Sequence, residues 1–300
     1  MRLPPILFLV LLASQAVAEA PDVVTDIPPV QSLAAQVMGD MDTPGILLEK
    51  GADPHHFQLR PSQARALSQA ELVFWVGPEL TPWLARALGG LGGDAKVVTL
   101  LDAPGTTIRD FASAHETEHE AEHDHGTRDP HAWLDPANAR AWIGTIQAEL
   151  SKANPDHANA YAANATAAIA RIDEAEAQAR AILVTVGDTP IMVFHDAYGY
   201  FADAFGVNIV GSISLGDASN PGAGRLAAIR QDLEHEGAVC VFPEAQHDPA
   251  YVRAMVEGTG TRIGRALDPS GTTLPYGPAL YGDLLVNMAQ TIADCVAAKE

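Results

Sequence analysis

A chain of 300 residues, 47% apolar and 19% charged, is long enough for one large core or two of about 150 residues each, without disulfide or metal staples. Its formal charge of −20 repels polyanions, which disfavours nucleic acid and anionic lipid as partners and attracts cations. No stretch reaches the roughly 20 uncharged apolar residues of a membrane span, so the chain is not expected to be membrane-embedded.

Residues 1–18 read as a secretory signal peptide. Arg2 supplies the charged start, Ile6 to Leu12 the apolar run, and Ala16, Val17 and Ala18 a small-residue cleavage site before Glu19. No cysteine follows the apolar run, so a lipid anchor is not expected. The mature chain is expected to be free in the periplasm, and losing Arg2 brings its formal charge from −20 to −21.

Asp22 to Asp26 reads as a short strand and Ile27 to Met38 as a helix. Ile46 to Leu48 is a second apolar run, leading into a turn-rich loop through Pro54, His55 and His56. Pro61 opens a helix to Ala70, since its missing N–H costs nothing in the first turn. Leu72 to Val76 is a buried strand, Thr81 to Leu88 a helix, and Ala95 to Leu101 a strand. This alternation predicts a parallel sheet covered on both faces.

The stretch from His115 to His131 interrupts the pattern with five of the eleven histidines, interleaved with carboxylates and without apolar periodicity. Such a run is a solvated loop, and its side chains also suit borderline divalent metals such as zinc. The alternative is an acidic loop with incidental histidines. Asp135-Pro136 then caps and opens a helix to about Lys152, and Asn154-Pro155 repeats the signal. From there to about Ile182 the chain is rich in strong helix formers, which predicts one rigid helix of roughly 40 Å.

Alternation resumes with strands at Ile191 to Phe194, Val207 to Val210, Val239 to Phe242 and Thr261 to Ala266. Helices are expected at Tyr198 to Phe205, Arg225 to Glu236, Pro249 to Glu257 and Gly277 to Ala298. The expected organisation is α/β with two lobes, each a mostly parallel sheet flanked by helices, joined by the long helix. Its divisions are a signal peptide at 1–18, an N-terminal lobe at 19–153 holding a His/acid-rich loop at 112–128, a linker helix at 154–185 and a C-terminal lobe at 186–300. Trp75, Trp83, Trp133 and Trp142 read as core. In an oxidising compartment Cys240 and Cys295 are expected to form a disulfide worth about 2–4 kcal/mol; two buried thiols that never meet are the alternative.

Three histidines sit where α/β sheets place ligands. His55 follows the run at Ile46 to Leu48, His131 precedes the capped helix, and His195 ends Ile-Met-Val-Phe. Three imidazoles are a sufficient core for tetrahedral zinc, leaving a fourth position for water or a carboxylate. Asp268 is the candidate neighbour from the second lobe. His157, His235 and His247 read as structural or solvated. No nucleophile elbow or Gly-rich phosphate loop is present.

Gly51 to Ser62 around His55, Asp129 to Pro136 around His131, and Phe194 to Phe201 around His195 resemble the metal-binding segments of ABC-transporter solute-binding proteins for zinc, the ZnuA type. Val76 to Leu84, Val241 to Gln246 and Ala266 to Pro269 extend the resemblance over the mature chain. It implies two lobes joined by a long helix, with Zn2+ held in the interlobe cleft by His55, His131 and His195. It further implies a carrier, expected to be monomeric, that passes Zn2+ to a membrane permease with its ATPase. Manganese-binding relatives usually carry a carboxylate at the third place and lack the loop, and the cysteine pair also resembles the zinc branch. Glu244 and Asp268 match positions near the metal, as fourth ligand or as acceptors behind the ligands. Pro54 stands where some members have a glutamate, and His56 adjoins the expected ligand.

The loop histidines His115, His119, His123 and His125 are expected to form a weaker accessory zinc patch. Two other functions fit the same residues. One is a zinc-dependent hydrolase with Glu244 as general base, and the other a manganese- or iron-binding transporter relative.

Overall fold

The computed structural model describes residues 20–91, 93–111, 128–214, 229–231, 233 and 235–298. The expected signal peptide, the loop histidines His115, His119, His123 and His125, and half of the expected helix from Arg225 to Glu236 lie outside these residues.

In the first lobe, β1 (Val23–Thr25), α1 (Pro28–Met38), β2 (Gly45–Ile46), α2 (Pro61–Gln69), β3 (Leu72–Trp75), α3 (Pro82–Leu91) and β4 (Lys96–Thr99) alternate as expected. The strands form a parallel sheet in the order β2-β1-β3-β4. The second lobe is built from β5 (Ile191–His195), α6 (Gly199–Phe205), β6 (Ile209–Ser214), β7 (Cys240–Phe242), α7 (Ala250–Val256) and β8 (Arg262–Ile263). Its parallel order, β6-β5-β7-β8, repeats that of the first sheet. In each lobe the first strand has neighbours on both sides, so chain direction switches beside it, and ligands bind at the carboxyl ends of strands around such a point.

The period-two alternation of each strand divides its side chains between two cores. Leu72 and Phe74 of β3 face a central core, whereas Val73 and Trp75 join Leu67, Trp83 and Leu84 on the outer face. In β5, Ile191 and Val193 face the central core, and Met192 and Phe194 face an outer cluster with Ile213 and Val241. The central core takes residues from both lobes and from the helices between them, so the lobes share apolar contact. All four tryptophans are buried.

Between the sheets run α4 (Pro136–Ala153) and α5 (Ala158–Leu183), and α8 (Leu280–Ala297) returns from the second lobe to pack on α5 and α1. Asp135 caps α4 by accepting from the Ala137 amide at 2.8 Å, with Pro136 in the first turn. The long helix starts later than expected. Pro155–His157 forms a 3-10 turn after Asn154 leaves helical geometry, and the 26 residues of α5 span about 39 Å.

Polar bonds join the lobes at the back. Ser32 of α1 donates to the Pro278 carbonyl at 3.2 Å and accepts from the Tyr281 amide at 3.1 Å. The Tyr281 hydroxyl donates to the Trp133 carbonyl at 2.8 Å, and the Trp133 indole donates to the Pro269 carbonyl at 2.8 Å. Cys240 of β7 and Cys295 of α8 are joined in a disulfide, which ties the returning helix to its own sheet.

Strand lengths depart from the sequence expectation at β6 and β8. The first begins at Ile209, after Gly206 ends α6 in the left-handed conformation, and runs on to Ser214. The second pairs only over Arg262–Ile263. At Gly264 a β-carbon would lie 2.3 Å from the Phe242 ring, so only glycine lets the chain pass there toward Leu267.

Candidate metal centre

Each of the three candidate histidines is placed by a different local device. Asp53 accepts the His55 amide at 2.9 Å, folding the Asp-Pro-His corner, and the Trp83 indole donates to the Pro54 carbonyl at 2.7 Å to hold that corner on α3. In the second Asp-Pro-His corner Asp129 accepts the His131 amide at 3.0 Å, and the same oxygen lies 2.8 Å from His131 Nδ1. His195 is the last residue of β5, and its Nδ1 lies 2.6 Å from Glu244 Oε1, just beyond the neighbouring strand β7. The Tyr198 hydroxyl donates to that same oxygen at 3.0 Å.

The three rings converge, with centroids 5.1 to 5.7 Å apart. All three side chains are buried, and one nitrogen from each lies within 4.8 Å of the others. Nε2 of His131 and Nε2 of His195 are 3.3 Å apart. Two nitrogens bound to one tetrahedral zinc at about 2.0–2.1 Å are separated by about 3.3 Å, so this spacing fits a shared ion. Among the described residues, neither ring nitrogen of His55 has a hydrogen-bond partner. Buried polar atoms without partners are costly, and an ion at the centre would remove that cost.

Burial favours the neutral donor form at two of the three histidines. Burial, then the neighbouring His131 and His195, hold His55 well below the usual imidazole range, and burial followed by His195 does the same to His131. At His195 burial also opposes the charge, but the carboxylate of Glu244 and its hydrogen bond outweigh it and raise the pKa. Burial pushes the Asp129 carboxyl up to about 7 against the His131 amide that favours its charge. A carboxylate behind Nδ1 fixes the tautomer that turns Nε2 toward a metal and makes it a stronger donor.

Glu244 is therefore placed behind His195, with its Oε1 engaged by His195 and Tyr198. Both oxygens of Asp268 are occupied elsewhere. Oδ1 accepts from Gln246 at 2.8 Å and from the Thr272 amide at 3.1 Å, and Oδ2 accepts from the Thr273 amide at 2.7 Å and its hydroxyl at 2.6 Å. Asp268 thus shapes the loop it begins and belongs to neither metal-suited cluster among the described residues. His56 is exposed and stands apart from the converging rings.

The family described as "ZnuA: Zinc-uptake complex component A periplasmic" matches residues 23–295. The chain belongs to the ZnuA family. Similar relatives include the high-affinity zinc uptake system protein ZnuA of Paracoccus denitrificans, 48% identical over 95% of this chain and 95% of its own length. The protein of the same name from Brucella suis is 35% identical over 95% of this chain and 94% of its own length. A crystal structure of ZnuA superposes with a TM-score of 0.77 at 25% identity, covering 93% of this chain and 100% of that one.

Sequence reasoning missed three residues that surround the histidine cluster of this ZnuA-family chain. Asp129 was legible, because Asp-Pro-His occurs twice and each Asp folds back on the histidine two residues on. Tyr198 lies within a motif already noted for His195. His247 gave no usable signal, yet its side chain is only 16% exposed and its Nε2 lies 3.8 Å from Glu244 Oε2.

Proposed function

We propose that this ZnuA-family chain captures Zn2+ in the periplasm and delivers it to the permease of an ABC importer with its ATPase, itself catalysing nothing. His55, His131 and His195 hold the ion in this reading. Asp129 and Glu244 orient two of them, and the fourth position is left to water. The observation that carries the proposal is the buried convergence of three imidazoles from both lobes, two backed by carboxylates and the third with neither nitrogen partnered among the described residues. The names of the similar relatives support zinc as the cargo. Residues 1–18 serve as the removed signal peptide, and the mature chain acts as a monomer. The functional units are the lobes at 19–153 and 186–300 with the linker at 154–185. No helix among the described residues is long and apolar enough to cross a membrane, consistent with a carrier that meets its permease from outside.

The hydrolase reading is weaker because its base, Glu244, is buried and already accepts from His195 and Tyr198. Bonds between the lobes at Ser32, Trp133 and Tyr281 favour small adjustments over a wide hinge on loading. The test is calorimetry with a competing chelator on mature protein. One tight Zn2+ per chain is expected, with tight binding lost in His55→Ala, His131→Ala and His195→Ala. Retention of the tight site in all three variants would overturn the assignment.

A further inference from the structure

Beyond the three histidines, a second group of metal-suited atoms comprises His195, Glu244 and His247, and it runs from the buried centre toward the surface. His195 and Glu244 side chains are 5% and 2% exposed, whereas His247 is 16% exposed. A narrow cleft lined by Asp53, His55, His195, Gln246 and His247 joins these levels. The His247 ring stacks on Phe194 with centroids 4.5 Å apart and planes 21° from parallel, which fixes the direction of its nitrogens. Its Nε2 points at Glu244 Oε2 from 3.8 Å, beyond hydrogen-bond reach. Among the described residues that oxygen accepts no hydrogen bond, since His195 and Tyr198 both use Oε1. The pair is thus a nitrogen and an oxygen donor, each held in place and each with coordination capacity unspent.

Resting on the zinc-carrier reading, we propose that His247 and Glu244 Oε2 form an outer, transient divalent-cation position through which Zn2+ passes between solvent and the buried histidines. An ion at about 2.1 Å from two atoms 3.8 Å apart subtends about 130°, wider than a tetrahedral angle. Such a position binds weakly and keeps room for several waters, as a transit site requires. Asp53 at the cleft adds negative charge that draws a cation in. Because Glu244 touches both positions, an ion moving inward from Oε2 meets His195 without full rehydration. A position on the path speeds entry and exit alike, so it changes rates without changing the equilibrium between free and bound ion.

Stopped-flow zinc loading, and release to an excess of fluorescent chelator, test the proposal on mature protein. His247→Phe keeps the stack on Phe194 and removes the donor, and His247→Ala removes both. In both variants association and release are expected to slow together by about fivefold or more, with affinity within about threefold of the unaltered chain. Wild-type rates in both variants would overturn the relay. Faster release with unchanged association would also overturn it, by making His247 a ligand of the tight site. The unaltered chain is titrated first: failure to bind Zn2+ tightly there would sink the carrier function itself, a result distinct from any effect at His247.

Discussion

The first lobe contains the tripeptide Asp-Pro-His twice, at Asp53 to His55 and at Asp129 to His131, and the two corners do different work. In both, the aspartate accepts the histidine amide, at 2.9 and 3.0 Å. Only Asp129 also reaches its histidine's ring, at 2.8 Å from Nδ1. Asp129 is buried at the base of the site, where the Tyr200 hydroxyl donates to its carbonyl and its amide donates to the Arg109 carbonyl. Asp53 lies partly exposed in the cleft. Local sequence therefore sets the turn, and tertiary burial decides whether the carboxylate orients a ligand. In the proposed reading His131 is held before any metal arrives, whereas His55, whose ring nitrogens have no hydrogen-bond partner among the described residues, is left for the ion to engage.

The sharpest way to break this comparison is to neutralise each aspartate in turn. Asp129→Asn is expected to weaken zinc binding by about 10- to 100-fold, the usual cost of losing a carboxylate behind a histidine ligand. Asp53→Asn is expected to stay within about threefold, because the amide oxygen still accepts the His55 amide and no ring contact is lost. Chelator competition at neutral pH reads both. Equal losses in the two variants would mean that the turns, not the ring contact, carry the difference.

Much of this was legible in the sequence for identifiable reasons. Strand and helix types follow from apolar periodicity and from proline at Pro61 and Pro136, and the three histidines sit at strand ends or corners that α/β topology brings together. The boundary of α5 was missed because its good helix formers hide the 3-10 turn at Pro155–His157. The hydrogen bonds of Asp268 were not legible, since nothing in the sequence shows that Gln246, Thr272 and Thr273 take up its oxygens. His247 was under-read because its place depends on how the chain turns after β7, which leaves no periodic trace.

Acidity offers a second probe of the same contrast. Metal binding needs neutral imidazole and favours a charged carboxylate behind it, so every proton lost on loading makes binding strengthen with rising pH. Asp129 titrates at about 7 in the metal-free protein, pushed up by burial, so its proton must leave below that point. His195 is raised by Glu244 despite its burial and adds a second proton as pH falls, whereas His55 and His131, lowered by burial, stay neutral further down. Apparent affinity is expected to fall as pH drops, by about tenfold per pH unit for each of the two protons once the pH lies below the group that holds it. Asp129→Asn should remove the first component and leave the second. A profile flat from pH 7.5 to 5.5 would contradict both assignments.

The smallest effect is expected from the feature most conspicuous in the sequence. The described residues stop at Phe111, before the His/acid-rich stretch, and resume at Arg128, three residues before His131. The residues that flank the stretch are already side by side: Asp110 and Arg128 form an antiparallel bridge, and the Asp129 amide donates to the Arg109 carbonyl at 2.9 Å. Arg128 is held by Glu79 and Asp102, each at 3.1 Å, and donates to the Leu101 carbonyl at 3.2 Å. Removing residues 112–127 while keeping Arg128 therefore joins neighbouring ends and leaves the contacts that position Asp129 in place. One tight zinc site is expected to survive with affinity within about threefold, and only weak additional binding should disappear with His115, His119, His123 and His125. Loss of the tight site in this variant, with Arg128 intact, would transfer the main site from the corners to the stretch between them.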